Sequence, residues 1–392
     1  MPAPEAIARA QAAVLADVAD ALGPAAFQPV HRYRAIPAVA GRATAAGVAR
    51  LARHPRVRTV GPDVGGSGGL DSSVPFIHAA APDVGPVDGR GVRVAVVDTG
   101  VDVDHPDLDG RVVAEACFVN LPPGCPPPPH PADDDHGHGT NVAGIVASRG
   151  RVAPRGVAPA AAIVAVKVMN DQNRFLTSDV LAGLDWLIGR RDVRAVNLSL
   201  GTDTTYAGAC DDADASTQAF AAAARRLRAQ GTLVVAASLN NRLPDRMTAP
   251  ACVRDVIAVG AVYDADFGPH AAAGCTDTIT AADAVACFSN GGSALDVWAP
   301  GVSITASGRG GGRSTFTGTS QAAPHVAGAL ALLAQARPEL PPAAIDMLLA
   351  RAGRPVRDPR NGLVRPRLDV TAALRLSARW PVVAWLPVVR GK

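Results

Sequence analysis

The sequence predicts an α/β fold: a mostly parallel sheet with helices on both faces, preceded by a small, separate α+β unit. Three observations predict it. From Val92 onward, short near-continuous apolar runs alternate with longer stretches of helical periodicity, the pattern of strands buried on both faces and joined by helices. Asp98, Ser199 and Asn240 fall just past the ends of three such runs, where open parallel sheets place their sites. Residues 61–73 are rich in glycine and serine and divide this pattern from a different one before it, as a flexible, cleavable linker would.

The elements follow in order. Ile7, Ala10, Val14, Val18 and Leu22 recur at three- and four-residue steps, which predicts a helix over 4–22. Phe27–Tyr33 and Ala35–Val39 read as strands, Thr44–His54 as a helix with Val48, Leu51 and Ala52 inward, and Val57–Val60 as a last strand. After the linker, Val92–Val97 reads as a buried strand ending in Asp98-Thr99-Gly100. The proline-dense stretch Pro122–Pro131 reads as a stiff surface loop. A small-residue helix is predicted over His138–Ala147, a strand over Ile163–Val168, and a helix over Ser178–Arg190 with Val180, Leu184 and Leu187 inward. Further strands are expected at Ala195–Leu198, Thr232–Ala237 and Val256–Ala261. Further helices are expected at Ser216–Gln230, after Ser320, and over Pro342–Ala352.

Composition narrows the function classes. Hydrophobic residues make up 48% of the 392, enough for a sizeable core, and the net charge of +3 is too small to imply nucleic acid or an acidic membrane as partner. The positive charge is nearly all arginine, with lysine only at Lys167 and Lys392, and reads as compositional bias. No apolar run approaches the roughly 18 residues that a membrane span needs. The apolar tail Trp380–Val389 is broken by prolines and reads as an edge strand or packed arm. Six cysteines allow fifteen pairings. Their even count and wide spacing suit disulfides in an exported enzyme, and sequential pairing is expected: Cys117–Cys125, Cys210–Cys252 and Cys275–Cys287. Free buried cysteines are the alternative.

The chemistry gathers in a few stretches. Phe316-Thr317-Gly318-Thr319-Ser320-Gln321-Ala322-Ala323-Pro324 brings a serine to the start of a small-residue helix, where unpaired N–H groups favour a developing oxyanion. An ordinary N-cap serine would look similar. Pro324 is placed early, where its missing N–H costs little. Asp98 ends a buried strand and needs either a charged partner or a helix to cap. Asp133–Asp135 reads as a solvated acidic loop before His136-Gly137-His138-Gly139-Thr140. The two histidines could hold a metal, but no H-E-x-x-H spacing supports that, and one working imidazole at the helix start, His138, is the better reading.

Val-Val-Asp98-Thr-Gly, Gly-His138-Gly-Thr and Gly-Thr-Ser320-Gln-Ala-Ala-Pro resemble the three signatures of the subtilisin-like serine proteases, in that family's chain order of Asp, His, Ser. The flanks agree: Asp104-His105-Pro106-Asp107-Leu108, Gly156-Val157-Ala158-Pro159 and Asn197-Leu198-Ser199-Leu200-Gly201. The likeness runs from about Gly91 to Leu374.

The resemblance implies a three-layer α/β catalytic domain over 91–376 after an inhibitor-type propeptide over 1–63. Residues 64–90 are then linker and N-terminal arm, and 377–392 a short tail. The propeptide reading lacks the family's first strand, so the expectation is that a strand and a signal peptide precede this sequence and that the enzyme is secreted. A serine endopeptidase is implied, with Ser320 as nucleophile, His138 as base, Asp98 as its orienting partner and Asn240 in the oxyanion hole, Asn241 being the fallback. Leu239 replaces the family's glycine there. Ser199, Leu200 and Gly201 would pair with the substrate backbone. Gly201 and Ala237 would line a slot with room for a large apolar P1 side chain, its mouth open to narrowing by Leu239. Asn141, where the family has a second histidine, should not touch the triad. The family's calcium site would draw on Asp107, but the matching loop Ser148-Arg149-Gly150-Arg151-Val152 carries two arginines and no carboxylate, so no metal or cofactor is expected to be required. Expected partners are peptide and protein substrates and the chain's own propeptide, with no nucleic acid and no membrane span; a monomer is expected. The rival reading is a non-catalytic scaffold of the same fold that binds or inhibits.

Overall fold

The structure, a computed structural model, describes residues 4–32, 39–57, 60 and 70–380. It divides into two compact units, 1–65 and 66–392.

In the first unit a helix over Pro4–Leu22 is followed by antiparallel strands Phe27–Arg32 and Val39–Ala43 and a helix over Ala45–Arg53. Thr44 caps the second helix, its hydroxyl accepting from the Gly47 N–H at 3.1 Å. Val18, Ala26 and Leu51 form its small core. Three expectations change here. The second strand begins at Val39, where it was expected to end, and residues 33–38 lie outside the described set. Val48 is 43% exposed and Ala52 is exposed too, so only Leu51 of the expected inward three is buried. Of the expected last strand, Val57 and Val60 are assigned to no strand though both pack against the core, and residues 58–59 between them lie outside the described residues. Hydrophobicity was the right signal for contact there, and the wrong one for backbone conformation.

The second unit is built on a nine-stranded sheet. In spatial order its strands are Arg354–Arg357, Val364–Arg367, Val297–Pro300, Val256–Val262, Leu233–Ala237, Val193–Leu198, Arg93–Asp98, Ala162–Lys167 and Val112–Cys117. All neighbours are parallel except the antiparallel edge pair Arg354–Arg357 and Val364–Arg367. The pleat sends alternate residues to opposite faces, and both faces are covered. Val94 and Val96 join the core on one side with the helices His138–Ala147 and Thr319–Ala336; Ala95 and Val97 join the core on the other with Thr177–Ile188 and Ala215–Ala229. The chain crosses from one flank of Arg93–Asp98 to the other after Ala162–Lys167, so a crevice is expected at the carboxyl ends of Arg93–Asp98 and Val193–Leu198.

Part of the expected linker is ordered: Leu70–Phe76 is helical, while 61–69 lie outside the described residues, as does the tail from 381. The predicted disulfides are the ones formed, with Cα–Cα separations of 5.8, 5.4 and 6.2 Å for Cys117–Cys125, Cys210–Cys252 and Cys275–Cys287. Among the described residues no helix is long and apolar enough to cross a membrane.

Candidate active site

Asp98 is the last residue of its strand and is fully buried. One carboxylate oxygen accepts from the Thr99 N–H at 2.7 Å and also faces His138 Nδ1 at 2.7 Å. That contact leaves Nε2 of the imidazole free to work toward the crevice. His138 opens its helix after Gly137, which holds φ at +107°. Gly139 is required for closeness, because a Cβ there would stand 2.0 Å from the Gly100 carbonyl oxygen and 3.1 Å from Asp98 Cβ. Burial alone pushes the His138 pKa down, but the Asp98 carboxylate, with Asp134 behind it, more than offsets this, and the net shift is upward.

The acidic run before His138 is a correction in part: Asp133 is exposed as a solvated loop would have it, but Asp134 is not. Asp134 is 2% exposed. It accepts from Thr99 Oγ1 at 2.8 Å, from the N–H groups of His136, Gly137 and Thr140 at 3.0, 2.9 and 2.9 Å, and from Thr140 Oγ1 at 2.6 Å. Burial pushes its pKa up, but these hydrogen bonds outweigh that and hold it below the usual carboxylate value. Thr99 in turn accepts from the Gly139 N–H at 2.9 Å, closing a network between strand end and helix start. Lys167, read from sequence as mere composition, is fully buried beside it. Its ammonium donates to the Thr99 carbonyl and, at 2.6 Å, to Asp135. A lone lysine at the end of an apolar strand was the available signal for it.

Ser320 is the second residue of its helix, where a backbone N–H has no partner within the helix. Pro324 does not fall in the unpaired first turn as expected. It lies deeper, and its missing N–H leaves the Ser320 carbonyl without its usual partner. Ser199 Oγ fills the gap, donating to that carbonyl at 2.7 Å, and is itself held by Asn197 Nδ2 at 2.9 Å. Ser320 Oγ donates back to the Ser199 carbonyl at 3.2 Å rather than to His138. Catalytic hydrogen bonds of this kind often tighten only with substrate in place.

Asn240 Oδ1 accepts from the Thr319 N–H at 2.9 Å and from Thr319 Oγ1 at 3.1 Å. Its Nδ2 lies 3.0 Å from where a Cβ on Gly318 would stand, so the amide N–H face sits beside the turn into Ser320. Asn241 is engaged elsewhere, paired twice with Asn290 at 2.9 Å. Asn141 bonds Ser314 and Gln321 and leaves the triad candidates alone. Leu200 is buried in the core, and Ala237 ends its strand fully buried. The open space expected beside Gly201 is filled: a Cβ there would meet Thr248 Oγ1 at 2.3 Å and Leu239 Cγ at 2.8 Å.

The residues matched to the family's calcium site do not suit a cation. Asp107 is fully buried, and its two oxygens accept from the N–H groups of Arg151, Val152 and Ala153 at 2.5, 3.0 and 2.7 Å. Donors surround the carboxylate where a calcium ion needs oxygens. Among the described residues no group of three or more His, Cys, Asp or Glu is arranged to hold a metal. His136 Nδ1 accepts from the His138 N–H at 3.3 Å, a local turn contact.

The model of the subtilase family matches residues 89–365. The chain is 35% identical over 252 residues to an intracellular serine protease of Paenibacillus polymyxa, covering 63% of this chain and 68% of that one. It is 35% identical over 255 residues to subtilisin of Bacillus pumilus, covering 64% and 79%. It is 37% identical over 248 residues to subtilisin-like protease 3 of Pseudogymnoascus destructans, of which it spans about half, 51%. A cold-adapted subtilisin-like serine proteinase superposes with a TM-score of 0.56 at 28% identity, over 72% of this chain and 90% of the other. Sequence signatures, sheet and site converge on one conclusion: this chain belongs to the subtilase family of serine proteases.

Proposed function

We propose that the protein is an endopeptidase that cleaves peptide bonds through an acyl-enzyme on Ser320. The observation that carries this is the 2.7 Å contact between Asp98 and His138 at the end of one strand, with Ser320, in the first turn of its helix, bonded to Ser199 just past the end of the neighbouring strand. Ser320 Oγ attacks the scissile carbonyl carbon, and its proton passes to His138 Nε2. Asp98 holds the imidazole tautomer and stabilises the imidazolium. The tetrahedral oxyanion is met by the Ser320 N–H and Asn240 Nδ2. His138 returns the proton to the leaving amine, and water then releases the acyl group by the same route in reverse. The substrate backbone lies along Ser199–Gly201 as an added strand. Calcium is not required, on the argument from Asp107. Residues 1–63 act as a propeptide that the enzyme removes itself. The three disulfides suit an oxidising, extracytoplasmic compartment.

The test is the intact mass of the wild-type chain and of Ser320→Ala after treatment with a serine-directed phosphonylating probe. The expected result is one probe mass and loss of the N-terminal segment for the wild type, and neither for the variant. A wild-type chain that neither labels nor hydrolyses unfolded protein would favour the non-catalytic scaffold.

A further inference from the structure

Leu239 occupies a backbone conformation that side chains rarely adopt, with φ at +72°, one residue before Asn240. The chain holds it there from both sides. Its N–H donates to Thr319 Oγ1 at 3.0 Å, and its carbonyl accepts from the Asn290 N–H at 2.8 Å. The glycine that would suit this conformation is replaced by a branched residue of four side-chain carbons. That side chain lies on Gly201: its Cγ and Cδ1 would be 2.8 and 3.0 Å from a Cβ built there. Beneath is Thr248, 1% exposed, whose Oγ1 would be 2.3 Å from the same Cβ and has no hydrogen-bond partner among the described residues. Leu239 and a sealed hydroxyl thus fill the space beside one wall of the P1 slot.

We infer that Leu239 plugs the P1 slot, so that this enzyme cleaves after small side chains, glycine, alanine or serine, and discriminates against large apolar ones. The inference rests on the peptidase reading above and reverses the specificity that small wall residues alone suggest. A hydrophobic slot gains by being filled, and this one is already filled from within. The backbone strain at residue 239 is the structural counterpart of that plug.

The experiment compares kcat/KM on peptides identical except at P1, with Ala, Leu or Phe, for the wild type, Leu239→Gly and Leu239→Ala. Each preparation is first titrated with the phosphonylating probe. The wild type is expected to favour Ala over Leu and Phe by tenfold or more. Leu239→Gly, whose backbone suits the left-handed region, is expected to raise the Phe-to-Ala ratio by tenfold or more, with Leu239→Ala intermediate. A probe-competent wild type that favours Phe or Leu overturns the plug, as does a ratio unchanged by both variants. A wild type that takes no probe sinks the peptidase reading itself, and the plug with it.

Discussion

The two halves of the candidate centre are built differently. Around Asp98 and His138 the polar groups are densely tied, with Asp98 Oδ2 and the working Nε2 of His138 left without a partner among the described residues. Asp134 gathers five hydrogen bonds, Lys167 ties Thr99 to Asp135, and Gly139 lets the helix start touch the strand end. Around Ser320 the contacts are fewer and partly provisional. The serine hydroxyl rests on a carbonyl, Asn240 keeps its amide N–H face uncommitted, and Leu239 holds a strained backbone. A proton-handling pair gains from rigidity, because its hydrogen bond must have the right tautomer before substrate arrives. A nucleophile and oxyanion donor must instead keep bonding capacity for the transition state.

That contrast can be broken from either side. The largest effect should come from the rigid half: Asp98→Asn is expected to lower kcat by about 10⁴-fold, the size seen when the carboxylate of such triads is neutralised. Steady-state hydrolysis checks it, and a loss under tenfold would deny Asp98 its role. On the serine side, Asn240→Ala should lower kcat by about 10²–10³-fold with little change in KM, whereas Asn241→Ala should change little. The reverse ranking would move the oxyanion role to Asn241.

Lys167→Met should destabilise the fold by roughly 2–4 kcal/mol, because it leaves Asp135 and the Thr99 carbonyl short of a buried charged donor. Denaturant midpoints in the Ser320→Ala background, free of self-digestion, measure this. A shift within error would mean the clamp is dispensable.

The smallest effect concerns His325, fully buried five residues after the serine and bonded to Ser73 Oγ and the Gln321 carbonyl, both at 2.8 Å. Burial pushes its pKa down to about 4, partly countered by the Gln321 carbonyl. The unfolded chain therefore binds the proton first as pH falls. Stability is full above the ordinary histidine value near 6.5 and is lost progressively down to about 4, with about 1 kcal/mol lost between pH 6.5 and 5.5. His325→Gln should lack that part of the pH dependence.

How much was legible in the sequence follows the same division. The strand before Asp98 and the helices from His138 and Pro342 could be read because period and local chemistry set them. The triad candidates could be read because each carries its own glycines and small residues for close approach. What could not be read were partners distant in sequence. Asp134 looks like any loop aspartate until Thr99 and Thr140 are folded onto it. Lys167 looks like bias until Asp135 meets it. Pro324 looks harmless until the carbonyl it strands is seen to need Ser199. In the first unit, Val48 carries the right polarity for a core too small to take it.

In the proposed mechanism Asp98, His138 and Ser320 act as one device. The rate of Ser320 phosphonylation as a function of pH tests it most directly, compared between the wild type and Asp98→Asn. The base must be neutral to act, and Asp98 raises the His138 pKa. Labelling in the wild type should therefore rise through an acid limb lying above the ordinary histidine value. In Asp98→Asn that limb should move to lower pH and the plateau should fall. A labelling rate independent of pH, or a limb that stays in place when Asp98 is neutralised, would contradict the claim.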